Sequence, residues 1–403
     1  MRHRAFALLI VGAGMLALLP LRAQPQLPEQ AMGGQERAKL HRKADGAIPN
    51  QYIVVLDQDA DGDVVATNRK VEALLNGRGR VPDAVWAHAL KGFSVQMTEE
   101  EALALAEDPD VAYVEEDSVM EINTTQTGAT WGLDRIDQRN LPLSTTYSYT
   151  TTGSGVNVYV IDTGIRRTHN DFGGRAFVGF DSVGDGRNTN DCNGHGTHVA
   201  GTIGGATWGV AKSVRLFAVR VLNCSGSGTT SGVISGVNWV TANHVKPAVA
   251  NMSLGGGVSS SLDAAVNNSI SAGVTYAIAA GNSNTNAANQ SPARVGAAIT
   301  VGSSTSSDAR SSFSNFGSVV DVFAPGSSIR SAWLTSNSAT ATLSGTSMAS
   351  PHVAGVAARI LQSSPGASPA TVRNTIVNNA TQGVLSGIPT GTSNRLLFRS
   401  STQ

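Results

Sequence analysis

The sequence predicts an α/β protein: a mostly parallel central sheet flanked by helices, preceded by a small α+β domain. Three observations carry that prediction. The run V-Y-V-I, Val158 to Ile161, is apolar at every position, as a strand buried on both faces must be. Two helical patterns rich in Ala and Gly, Thr197 to Ile203 and Met348 to Leu361, have the small side chains that let a helix pack closely. Ahead of them, residues 51–116 run strand, helix, strands, helix, strand, the order of a compact unit in its own right.

The 403 residues carry 29 basic and 29 acidic side chains, a net charge of zero. That balance excludes a nucleic-acid binder working through overall charge, because phosphate neutralisation needs a basic excess. A hydrophobic content of 41% excludes wholesale disorder. The zero is also uneven. Residues 24–125 hold 9 basic and 19 acidic residues, a net of −10, and residues 126–403 hold 17 and 10, a net of +7. The remaining three basic residues lie in 1–23, and the last segment has no Glu at all. Such a step argues for separate units with separate jobs.

Along the chain, Arg2 to Arg4 form a positive start, Ala5 to Leu19 an apolar run, and Pro20 to Ala23 a small-residue cleavage site before Gln24. This is the pattern of a secretory signal peptide, 1–23. At about 15 residues the run is short for a membrane span of about 20. The expected location is therefore secreted and extracellular, with no membrane anchor, where disulfides persist. Residues 24–50 are a polar lead-in. Gln51 to Leu56 reads as a strand and Val64 to Leu75 as a helix; Ala84 to Met97 reads as strands around a turn at Lys91 and Gly92. T-E-E-E from Thr98 opens a second helix, and Val111 to Glu116 is a final strand. His88 stands alone and suggests no chemistry. Asn123 to Thr130 has linker composition.

The chemistry lies beyond. Asp162 ends the buried 158–161 strand, and strand C-termini form the functional crevice of open α/β sheets. An unpaired Asp there is costly. In N-G-H-G-T-H-V-A-G, His195 sits between Gly194 and Gly196 at the start of a helix, where it can project into that crevice. His198, one turn on, reads as a packing residue. A zinc-protease helix needs H-E-x-x-H, which H-x-x-H without Glu does not supply. In L-S-G-T-S-M-A-S-P-H, Gly345 and Thr346 turn the chain before Ser347, which stands at a helix N-terminus where the dipole favours negative charge. Pro351 is placed in that helix's first turn. A serine hydroxyl is a weak nucleophile until a base such as His takes its proton, and a buried Asp orients and stabilises that His. The order Asp, His, Ser is one of the known orders of this triad.

V-I-D-T-G, G-H-G-T-H-V-A-G and G-T-S-M-A-S-P-H-V-A-G resemble the three active-site motifs of the subtilisin-like serine proteases, and most closely the aqualysin-like secreted enzymes of the proteinase K branch. The resemblance runs from about Trp131 to Phe398. It implies a subtilisin-like catalytic domain, 126–403, with Asp162, His195 and Ser347 as the triad and Asn282, from A-A-G-N, as oxyanion donor. Ser253, Leu254 and Gly255 resemble one backbone edge of the substrate cleft, and Gly226, Ser227 and Gly228 the opposing edge, on which a peptide adds as a strand. Ala279, Ala280 and Gly281 resemble pocket wall. Small apolar walls without a buried charge imply an endopeptidase of broad specificity that cuts after apolar or aromatic residues.

Cys192 and Cys224 match positions paired in the aqualysin-like enzymes. Calcium is the implied structural cofactor. Asp321 with the carbonyls of Gly296 and Ala298 matches one site; Asp134, Asp137 and Gln138, with Ser144 and Thr146 beside them, match a second and weaker one. Asp181 and Asp185 are a third pair. Residues 24–125 resemble the family's inhibitory propeptide, a ferredoxin-like unit whose tail, Val119 to Asn123, lies in the cleft until cutting near Asn123 to Gln126. The expected partners are protein and peptide substrates and the protein's own propeptide, with the enzyme a monomer. Two other readings compete. A catalytically inactive subtilase would serve as a binding module, but the motifs are intact. An α/β-hydrolase esterase would need G-x-S-x-G and the order Ser, Asp, His, neither of which is present.

Overall fold

The computed structural model describes residues 39–43, 47–57, 64–118 and 124–400. The signal segment, most of the polar lead-in and the Val119 to Asn123 tail lie outside the described residues. No helix among the described residues is long and apolar enough to cross a membrane. The chain folds as two compact units, the first up to His41 and over Tyr52–Glu115, the second over Arg42–Gln51 and from Glu116 onward.

The first unit is a five-stranded sheet with two helices. Its strands stand in the order Leu40–His41, Val111–Ser118, Ala47–Leu56, Lys91–Gln96 and Pro82–Ala87. The helices are Val64–Leu75 and Glu99–Ala106. The second begins with a capping box: Thr98 Oγ1 accepts from the Glu101 N–H, and the Glu101 carboxylate accepts from the Thr98 N–H. The hairpin turn lies at residues 88–90, with exposed His88 in it, and not at Lys91 and Gly92 as the sequence suggests. Gly92 serves close approach instead: a Cβ there would stand 2.3 Å from the Val54 carbonyl oxygen of the adjacent strand. Val54, Leu56, Val71, Phe93, Val95 and Leu105 are among its buried core residues.

The second unit holds a nine-stranded sheet. From one edge its strands are Thr381–Gln382, Arg395–Leu396, Val322–Pro325, Ile299–Ser304, Thr275–Ala279, Ala248–Met252, Asn157–Asp162, Arg215–Arg220 and Ala176–Asp181. Every neighbouring pair is parallel except the first. The Asn157–Asp162 strand, first of these in sequence, lies between Arg215–Arg220 and Ala248–Met252. The chain winds to one edge from it, then to the other, so its C-terminal end is the switch point where such sheets place their sites. All six of its residues are buried. One core cluster combines Val158 and Val160 with Val199, Ile203 and Val353; the other combines Tyr159 and Ile161 with Val237 and Val266. The alternation along one strand thus feeds both layers of helices.

Candidate active site

Asp162 is fully buried at the switch point. Its Oδ1 accepts from the Thr163 N–H at 2.7 Å and from His195 Nδ1 at 2.7 Å. His195 opens the helix His195–Gly204 with its side chain 25% exposed, so one ring nitrogen faces the carboxylate and the ring still reaches solvent. Burial alone would lower the imidazole's pKa. The Asp162 charge, its hydrogen bond and the nearby Asp191 charge outweigh that and raise it above the ordinary value. Gly194 turns the chain at φ 105°, and a side chain there would strike Trp333.

Asp191 has no place in the sequence reading, yet it organises this turn. Its Oδ1 accepts from the Thr163 hydroxyl and from the N–H groups of Asn193 and Gly194; its Oδ2 accepts from the Thr197 N–H and hydroxyl. Thr163 Oγ1 in turn accepts from the Gly196 N–H. The network joins the end of the Asp162 strand to the start of the His195 helix. Asp followed two residues later by Asn-Gly, just before a helix, was the available signal.

Ser347 is the second residue of the helix Thr346–Ser363, which starts two residues earlier than the small-residue pattern suggests. Pro351 therefore lies in the second turn, where it leaves the Ser347 carbonyl without its i+4 donor. Ser253 Oγ donates to that carbonyl at 2.9 Å, and Ser347 Oγ donates to the Ser253 carbonyl at 3.2 Å. Behind them Asn251 Nδ2 donates to Ser253 Oγ, and Ser350 Oγ donates to Asn251 Oδ1. In this rotamer Ser347 rests on Ser253 and makes no hydrogen bond to His195.

Asn282 Oδ1 accepts from the Thr346 N–H and hydroxyl, both at 2.8 Å. With the oxygen engaged, the amide must turn its N–H₂ the other way. A methyl group on Gly345 would stand 3.5 Å from Asn282 Nδ2 and 3.6 Å from the Ser347 nitrogen, so these two donors border the same space. A developing oxyanion needs that convergence.

Two cavities adjoin. One of about 440 Å³ is bordered by His195, by Gly226, Ser227 and Gly228, and by Ser253, Leu254 and Gly255, so both expected backbone edges face one cleft. The other, about 300 Å³, is bordered by Ser347, Asn282, Ala279, Gly281 and the same Ser253 to Gly255 edge. Ala280 lines neither. It packs in the core with Phe323, Val320 and Ala293, because successive residues leaving a strand point to opposite faces.

Cys192 and Cys224 form a disulfide with a Cα separation of 4.9 Å. Asp181 and Asp185 are not a free cation site. Buried Arg220 donates to Asp181 Oδ2 and to both oxygens of Asp185, holding the Asp185 carboxyl down at about 2. Asp134 accepts from the Ser144 N–H and hydroxyl and from the Thr145 N–H. Asp137 Oδ2 accepts from the Ser148 N–H, but its Oδ1 is buried without a donor. Burial, with Asp134's charge adding to it, pushes the Asp137 carboxyl up to about 6. An orphaned, charge-averse carboxylate beside a second one fits a divalent cation. Gln138 points elsewhere, donating from Nε2 to the carbonyls of Asn140 and Pro142. At Asp321, Oδ2 accepts from the Thr300 N–H and Oδ1 from Arg373, which also donates to the Ala298 carbonyl. A guanidinium already shares two of the three groups expected there, and Gly296 is exposed nearby in sequence. His198 is fully buried, its Nε2 bonded to the carbonyls of Ile329 and Ala341, a packing role.

The subtilase family profile matches residues 153–396, and the peptidase inhibitor I9 profile matches residues 51–123. The chain is 50% identical over 400 residues to an extracellular serine proteinase of a Thermus species, covering 95% of this chain and 97% of that one. It is 45% identical to a cuticle-degrading protease of Metarhizium anisopliae, covering 88% and 91%. A solved structure of a cold-adapted subtilisin-like serine proteinase is 58% identical and covers 68% of this chain and 98% of its own, with a TM-score of 0.66.

Proposed function

The chain belongs to the subtilase family, and from that premise we propose that Asp162, His195 and Ser347 are the catalytic triad of this serine endopeptidase, with Asn282 and the Ser347 N–H as oxyanion donors. The 2.7 Å bond between His195 Nδ1 and Asp162 Oδ1, beside two converging N–H donors, is the observation that carries the reading. Ser347 Oγ exchanges its bond to the Ser253 carbonyl for one to His195 Nε2. It attacks the scissile carbonyl as Nε2 takes its proton, and the oxyanion forms between Asn282 Nδ2 and the Ser347 N–H. His195 gives the proton to the leaving amine. Water repeats the sequence on the acyl-enzyme. The substrate backbone lies between Gly226–Gly228 and Ser253–Gly255, and cleavage is broad, after apolar or aromatic residues.

The enzyme is extracellular and made as a zymogen. Residues 1–23 are its signal and 24–125 its inhibitory propeptide, separated from a monomeric catalytic unit, 126–403. A cut before Gln126 leaves Gln126 and Thr127 of the Thr124–Thr127 strand on the catalytic side, where they pair with Tyr147 and Thr146. Calcium is the structural cofactor. Asp137 and Asp134 supply the better supported site, and Asp321 with the Gly296 and Ala298 carbonyls a second one in which Arg373 shares the charge. Expression of Ser347→Ala should give an uncut precursor with no peptidase activity. Maturation of that variant to the same N-terminus without added protease would overturn self-processing, and retained hydrolysis would overturn the triad.

A further inference from the structure

The cavity beside Ser347 and Asn282 has two polar side chains at its wall that the reaction does not use, exposed Ser283 and half-buried Gln290, and Gln290 is the one held in place by a buried neighbour. Its orientation follows from its neighbour. Asn315 is fully buried; its Oδ1 accepts from the N–H groups of Ser283 and Thr285, and its Nδ2 donates to the Ala280 carbonyl at 2.9 Å. Three backbone partners leave Asn315 no freedom to flip. Its second Nδ2 proton points at Gln290 at 3.1 Å, so the atom facing it must be the acceptor, Oε1. That oxygen is packed tightly, since a Cβ on Gly281 would lie 2.1 Å from it. The Gln290 N–H₂ is then the free end. It makes no hydrogen bond within the protein, and the side chain is half-buried along the cavity wall. None of the ten residues lining this cavity is charged.

We propose that Gln290 is a specificity-determining residue, whose N–H₂ donates to the substrate side chain seated in this cavity, just before the scissile bond. The proposal rests on the cleft assignment above and refines its substrate class. Within the broad apolar and aromatic range, side chains that end in a neutral acceptor are favoured over their isosteres: Tyr over Phe, and Gln over Leu. An apolar side chain dehydrates the Gln290 N–H₂ and returns no bond, which is the asymmetry that makes polar sites discriminate. Without a counter-charge in the cavity, Glu gains nothing over Gln.

The test uses mature enzyme processed from the full chain and a peptide p-nitroanilide series differing only at the residue before the leaving group. The wild-type kcat/KM ratios Tyr:Phe and Gln:Leu should exceed those of Gln290→Leu by about threefold to tenfold, the worth of one neutral hydrogen bond. Gln290→Glu keeps an acceptor for Asn315 and turns the other oxygen into the cavity, so it should raise Lys relative to Leu. Equal ratios in wild type and Gln290→Leu overturn the proposal. If neither variant folds, a wild-type enzyme with no preference within either isosteric pair overturns it just as well. Failure of the cleft assignment looks different: Ser347→Ala would then still hydrolyse the series. A dead Ser347→Ala with flat ratios removes Gln290 alone.

Discussion

The two units handle polarity in opposite ways. Among the described residues of the first unit, the buried polar side chains are Thr67 and Ser94, and no charged side chain is buried. Its acidic residues are exposed or half-buried; Glu99 and Glu100 are exposed at a helix start where the dipole favours them. The second unit buries Asp134, Arg135, Asp162, Arg220 and Arg359, and three of these are arginines with essentially no exposure. Each has a partner: Arg135 holds Asp308 bidentately and two backbone carbonyls, and Arg359 reaches Tyr147 and Thr151. A buried charge is tolerable only when so paired. The first unit thus has an apolar core, with its ion pairs, such as Arg80 with Glu101, kept outside it. The second carries the positioned charges that chemistry requires, and its loops are tied by them.

That contrast breaks if the charges of the second unit prove dispensable, and the sharpest instance is Asp162. Asp162→Asn keeps the shape but takes away the acceptor that fixes the His195 tautomer, so turnover should fall on the order of 10⁴-fold. The same change removes the main groups that raise the His195 pKa. His195 acts as a base only when neutral, so the acidic limb of kcat/KM in the wild type should lie above the ordinary His value, and in Asp162→Asn it should move to lower pH. A limb that stays in place would mean that another group titrates. Next comes Asn282→Ala, which removes one oxyanion donor and leaves the other; kcat should drop by about 10²–10³ with little change in KM. A loss confined to KM would relocate Asn282 to substrate binding.

The architecture was legible because each element announced itself locally. The apolar 158–161 run, the glycines around His195 and the small-residue helix after Ser347 each tie one function to one strand or helix end. What stayed hidden was long-range. Asp191 looks like any turn residue until Thr163, from a strand almost thirty positions away, donates to it. Ser253 was read as a backbone edge, and only the missing donor at Pro351 shows why its hydroxyl faces Ser347. Asp181 and Asp185 look like cation ligands because nothing local marks Arg220 as their partner. Gly92 looked like a turn because a glycine kept for close approach carries the same local signature.

A smaller effect is expected at the disulfide. Cys192 and Cys224, 32 positions apart, close a loop that starts next to Asp191 and includes its partners Asn193 and Gly194, and Arg220 lies against Cys192 Sγ at 3.4 Å. Cys192→Ser with Cys224→Ser should lower stability by about 3–4 kcal/mol, read from denaturant unfolding of the inhibited mature enzyme. Unchanged stability would mean that the Asp191 and Arg220 networks already fix the loop. No such cross-link exists in the first unit, since these are the chain's two cysteines.

The gentlest test concerns Asp137, a half-buried carboxylate of the second unit with one oxygen, Oδ1, left without a donor. Asp137's carboxyl is pushed up to about 6, above its ordinary 3.8. A raised folded-state value means that the folded protein holds the proton more tightly than the unfolded chain does. The associated stability is complete below pH 4 and is lost as pH rises through about 6. Above that, Asp137 is ionised with Oδ1 unbonded, and a bound cation removes the penalty. Calcium should therefore raise the melting temperature of the inhibited mature enzyme by a few degrees more at pH 7.5 than at pH 5. Asp137→Asn should abolish most of that difference, while Arg373→Ala should enlarge the calcium response, because Asp321 then loses its resident cation. An equal calcium gain at both pH values would place the ion away from Asp137. It would also leave the Asp137 Oδ1 without compensation when ionised, a departure from the pairing seen at the buried arginines of the second unit.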